Sequence, residues 1–61
     1  MTVYIVKSGM LKEFGWDWLN ISAFASYENA LKFANATKKQ IPRRSLGETE
    51  DVIIETMFVM E

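Results

Sequence analysis

Hydrophobic residues change their spacing along this chain, and each change marks an element. "TVYIVK" near the start is a run of β-branched and aromatic residues that predicts a strand over residues 2–8. Its apolar stretch, Val3 to Val6, does not alternate. That suits a central strand covered on both faces. "SGMLKEFG" follows, punctuated by Gly9 and Gly15, and reads as a hairpin connection carrying parts of both strands. A second strand is expected over residues 16–25. Ser26 is then a good N-cap, and Glu28 falls in the first helical turn, where the helix dipole favours an anion. "SYENALKFANATKKQI" has no internal Gly or Pro. Tyr27, Ala30, Leu31, Ala34 and Ile41 recur at helical spacing as a buried stripe, with Phe33 on its flank. Lys38 points the same way, burying its stem while its ammonium stays wet. Pro42 stops the helix, giving a span of residues 27–40, and "DVIIETMFVM" makes a last strand over residues 51–60.

The element order is therefore ββαβ in a single small α+β domain spanning residues 1–61. A hairpin makes the first two strands antiparallel, and a helical crossover returns the chain for the third. With the third strand beside the first, the sheet is wholly antiparallel in the order 2-1-3, and one helix packs on one face. The apolar first strand is then central, as its pattern demands.

Successive strand residues face opposite sides, so a lone helix covers only one of two sets. In the second strand the sets are Leu19, Ile21 and Ala23 beneath the helix, and Trp16, Trp18, Asn20 and Ser22 away from it. Phe24 falls with the tryptophans unless a bulge turns it under the helix. In the third strand Val52, Ile54, Thr56, Phe58 and Met60 form the more apolar set, opposite Ile53, Glu55, Met57, Val59 and Glu61. The uncovered face is thus expected to present Trp16, Trp18, Ile53, Met57 and Val59, an apolar patch with acidic edges. Such patches mark contact sites, and their residue types are those enriched at interface cores. A competing arrangement folds Met10, Leu11 and Phe14 back as a roof over the tryptophans.

Size sharpens the expectation of a partner. A chain of 61 residues buries only about 60% of its unfolded surface. It has no Cys and no His, so neither a disulfide nor an ordinary structural zinc site can staple it, and self-association, a homodimer, is the remaining common device. The lack of Cys and of a secretory pattern at the N-terminus leads to the expectation of a cytoplasmic protein. No apolar run nears the roughly 20 residues that span a bilayer.

Net charge is −1, but it hides two blocks. Lys32, Lys38, Lys39, Arg43 and Arg44 come without acids, and Glu48, Glu50, Asp51, Glu55 and Glu61 follow without cations. Lys38, Lys39, Arg43 and Arg44 form a secondary contact candidate for phosphate or an acidic surface. The plainer role is to offset the negative end of the helix dipole or to pair with the acids that follow. Aromatics on a sheet face beside a basic loop are also how some proteins stack single-stranded nucleic acid, which is the second functional reading. A purely structural, homo-oligomerising domain is the third.

Catalysis is not expected. The usual base and the best thiol nucleophile are absent, and Ser8, Ser22, Ser26 and Ser45 have turn, strand or cap roles. Gly9, Gly15 and Gly47 are isolated and make no phosphate loop, while Glu48, Glu50 and Asp51 read as solvated loop acids. No cofactor and no metal are expected.

The phrases "VYIV", "ISAFASYENALKFANA" and "DVIIETMFV" together resemble a loose group of small phage-encoded ββαβ proteins of unknown function. That resemblance carries no catalytic residues. It implies a viral accessory protein that binds a host protein, for example a defence enzyme, and blocks or sequesters it.

Overall fold

The β-branched start of the chain does enter extended backbone at once, and in a computed structural model it stays there longer than its composition suggests. Strand β1 spans Thr2–Lys12, well past the Ser8 at which the sequence pattern stops. The reason is tertiary: Gly9 and Met10 have ladder partners on both sides, Trp18 and Asp17 on one and Asp51 and Glu50 on the other. A glycine flanked by two strands remains extended. The structure describes residues 1–60, and Glu61, expected on the acidic edge, lies outside them.

The hairpin closes tightly. Lys12 faces Gly15, so only Glu13 and Phe14 lie between the strands, and Gly15 takes φ +124°, a conformation that favours glycine. Strand β2 follows over Gly15–Phe24. Helix α1 spans Tyr27–Lys38, with Ser26 as its cap: the Ser26 Oγ accepts the Asn29 N–H at 3.4 Å. The helix stops short of residue 40. Pro42 disfavours helical backbone at Ile41, and the N–H groups of Gln40 and Ile41 instead make short turn bonds to Thr37 and Lys38. Strand β3, Glu50–Phe58, also ends before the expected residue 60, because Phe58 already faces Thr2, the first residue of β1.

The sheet order is β2-β1-β3, antiparallel throughout, with the apolar first strand in the centre. The fold is ββαβ, α+β, as the hydrophobic pattern implies. Val6, Ala30, Ala34 and Val52 form the buried cluster, with Tyr4, Phe24, Ile41 and Ile54 packed around it. The two alanines let the helix approach the valines closely. Tyr27 meets Tyr4 edge-on at 5.5 Å, and Phe33 meets Phe24 at 5.4 Å, so aromatic pairs seal the sides of this small core.

Strand β2 departs from simple alternation. Val6 faces Ser22 and Lys7 faces Asn20, which leaves Ile21 as an extra residue, a β-bulge. The bulge inverts the sides of everything beyond it. Phe24, opposite Tyr4, and Ser22, opposite Val6, lie on the helix side, and Ala23 lies on the other, opposite Ile5. The set Leu19, Ile21 and Ala23 is therefore not a continuous floor beneath the helix. Leu19 keeps the helix side but is 68% exposed, because the helix covers the body of the sheet and not its hairpin end. The molecule is accordingly flat and long, 39 × 25 × 13 Å, with the hairpin projecting as an arm.

Candidate interaction surface

The helix-free face is built in rows across the ladder. Leu11 pairs with Trp16 nearest the turn, then Gly9 lies between Trp18 and Asp51, then Lys7 between Asn20 and Ile53. Ile5 follows between Ala23 and Glu55, and Val3 pairs with Met57. Trp16 and Trp18, two residues apart on β2, stack with centroids 5.3 Å apart and planes 17° from parallel.

Gly9 makes this stack possible. A Cβ at Gly9 would lie 2.8 Å from Cδ2 of Trp18 and closer still to Cε3 and Cζ3. The Trp18 indole therefore rests on bare backbone, a cross-strand aromatic covering a glycine. Gly9, which in the sequence looks like punctuation, is a mid-strand seat for a ring. Its signal was available only once Trp18 was known to lie opposite it.

No roof covers the indoles. The tight turn leaves no chain to fold back, Phe14 at the tip is 97% exposed, and Met10 lies on the helix side. Leu11 shares the indole face, but beside Trp16 rather than above it. Trp16 is 36% exposed and Trp18 is half-buried.

The remaining expected contact residues lie elsewhere on the same face. Ile53 and Met57 are on β3, across the central strand, and Val59 follows the end of β3. There Val59 donates its N–H to the Met1 carbonyl at 2.8 Å, and its own carbonyl accepts from the Met1 ammonium at 3.1 Å. All three are exposed. An ion pair crosses this face, Lys7 Nζ to Glu55 Oε2 at 2.7 Å, with the Lys7 side chain only 20% exposed; Lys7 lies beside Ile53, and Glu55 lies between Ile53 and Met57. The face is thus not one patch: the charge pair sets Met57 and Val59 apart from the indoles, while Ile53 stays on the indole side of Glu55.

The basic segment is on the other side of the sheet. Lys38, Lys39 and Arg43, with Ile41 and Leu46, line an open groove of about 280 Å³ beside the last helical turn, and Arg44 lies outside that lining. Among the described residues the ion pairs are Lys7–Glu55 and Lys12–Asp17, so Lys38, Lys39, Arg43 and Arg44 do not pair with Glu48, Glu50, Asp51 or Glu55. The groove shares Lys38 with a second one bounded by Ala34, Val52 and Ile54, which places it on the helix side, away from the indoles.

Among the described residues no polar or charged side chain is buried, no three acids converge as for a metal, and no helix is long and apolar enough to cross a membrane. No protein-family model matches the chain, and no significant match was found among curated proteins or solved structures.

Proposed function

We propose that this chain is a small non-catalytic protein-interaction module whose working surface is the indole end of the open sheet face. The observation that carries the reading is the Trp16–Trp18 stack seated on Gly9, with no layer of the chain above it. A pair of aligned indoles on a rigid ladder is a preorganised anchor. Large aromatic rings that are already fixed lose little conformational freedom on binding and supply much of an interface's energy. Leu11 widens the apolar area on one side and Lys7–Glu55 bounds it on the other. The resemblance to phage-encoded ββαβ proteins supplies the direction: a host protein in the cytoplasm, blocked or sequestered by occlusion.

Stacked indoles also suit single-stranded nucleic acid. That reading is weaker here, because the cations that should track phosphates lie on the opposite side of the sheet. The row of Trp18 itself carries an acid, Asp51.

The test compares the wild-type chain with Trp16→Ala and Trp18→Ala, immobilised against extract of the presumed host. The expected result is a protein held by wild type and lost from both variants, while far-UV circular dichroism of the variants is unchanged. Variants that unfold would make the indoles structural, and equal capture by all three chains would remove them from the interface. Filter binding to single-stranded oligonucleotides at two salt concentrations separates the second reading. Affinity that falls steeply with salt and needs Arg43 and Arg44 would favour nucleic acid.

A further inference from the structure

The chain exposes more surface than a lone molecule of its mass should. Its accessible area is 4788 Å² at 7.1 kDa, against about 4,100 Å² for a compact monomer of that mass, an excess of roughly 700 Å². The radius of gyration is 12.4 Å, where about 10.5 Å is expected for a compact chain of this length. The hairpin end is one place where that surface lies. The arm is bare on its two faces: Leu11 and Trp16 are exposed on one, and Met10 and Leu19 on the other. An excess of this size is close to the roughly 800 Å² that each partner buries in a stable protein interface.

The arm also carries an open edge. β2 is paired on one side only, as is β3 apart from a bridge between Glu50 at its start and Leu46. The two edges differ in charge. β3 presents Glu50, Asp51 and Glu55, the acidic protection that keeps edges from pairing with themselves. The straight part of β2 before the bulge, residues 15–20, has Asp17 as its sole charge, and Lys12 lies 3.8 Å from it. It has no proline and no lysine. It is a nearly neutral edge on an arm with uncovered faces.

We propose that the occupant of this edge is a second copy of the chain, bound through β2 against β2 in antiparallel pairing about a two-fold axis. The product is a six-stranded sheet, β3-β1-β2-β2-β1-β3. Symmetric pairing closes the contact, whereas β2 on β3 of the next copy would repeat without end. It leaves only the acidic β3 edges outermost. Facing residues of an antiparallel pair share a sheet face, so the two-fold falls on a residue; at Trp18 it brings the two indole pairs together on one face and sets Leu19 opposite Asp17 of the second copy on the other. The edge is distinct from the indole face assigned to a foreign partner, so either assignment can fail alone.

The test is sedimentation equilibrium of the chain from micromolar to millimolar concentration, with amide exchange on the same samples. The expected mass rises from 7.1 kDa to twice that value, and outward-facing amides of residues 15–20 gain protection with concentration. Leu19→Glu sets a second acid against Asp17 of the other copy at both symmetric positions, and should weaken dimerisation about tenfold or more. Leu19 is 68% exposed, so the monomer keeps its circular dichroism. Phe58→Lys on β3, at a side chain 80% exposed, should leave dimerisation unchanged. A particle that stays at 7.1 kDa at millimolar concentration would overturn the proposal. So would a dimer indifferent to Leu19→Glu, or one whose concentration-dependent protection falls on β3.

Discussion

Gly9→Ala isolates the part of the site that depends on a missing side chain. The added methyl carbon would sit 2.8 Å from Trp18 Cδ2, and nearer to two other ring atoms. Nonbonded carbons settle at about 3.5–4.0 Å, so the ring must rise by about an ångström. Trp18 is the movable partner, because it is a side chain on the helix-free face, whereas the Gly9 backbone is held in two ladders. Lifting the ring breaks its alignment with Trp16, now 17° from parallel. The energies nearly cancel. Alanine gains about 0.5–1 kcal/mol over glycine in a strand, and losing the aromatic pair costs about 0.5–1.5 kcal/mol. Urea unfolding should therefore shift by less than about 1 kcal/mol. Coupling between the indoles in circular dichroism should vanish, and tryptophan emission should move to the red. Capture of the protein partner should fall with it. Retained coupling would refute the seat, and a loss above about 3 kcal/mol would mean that the strand, not the ring, gives way.

Other perturbations follow from the same geometry. Val6 is fully buried beneath Ala30 and Ala34, so Val6→Ala should cost about 2 kcal/mol and lower the thermal midpoint by roughly 8–16 °C. Ala34→Leu should force the helix off Val52 and cost about 1–3 kcal/mol by overpacking, read by the same thermal scan. Ser26→Ala removes an exposed cap bond of 3.4 Å, and should cost only about 0.5–1 kcal/mol in urea unfolding. A double-mutant cycle of Lys7→Met and Glu55→Gln should return a coupling of about 0.5–1 kcal/mol that shrinks in high salt, because Glu55 is half in solvent.

The central position of β1 was legible because Val3 to Val6 leave no polar gap, and the helix was legible from its cap, its alanine stripe and Pro42. What could not be read was how far backbone pairing extends. Gly9, Met10, Leu11 and Lys12 have no strand pattern of their own, and join β1 only because Trp16, Asp17 and Trp18 on β2 pair with them. The bulge at Ile21 was equally hidden. It was raised only for Phe24, yet it also moves Ser22 and Ala23, since one extra residue inverts each side chain beyond it. On the open face the alternation of residues puts the indoles on the side of Ile53 and Met57, but the charge pair that interrupts this side is not in the pattern. Lys7 and Glu55 are distant in sequence, and only the pairing of β1 with β3 brings them together, with Ile53 on one side and Met57 on the other.

The ladder that sets Thr2 against Phe58 also sets an order of events during synthesis. The middle strand leaves the ribosome first and its second neighbour last. At about 5–20 residues per second, the hairpin waits seconds with its core-side valine open to solvent. Chaperone capture in that interval, rather than the stability of the finished sheet, should set how much of this protein a cell accumulates.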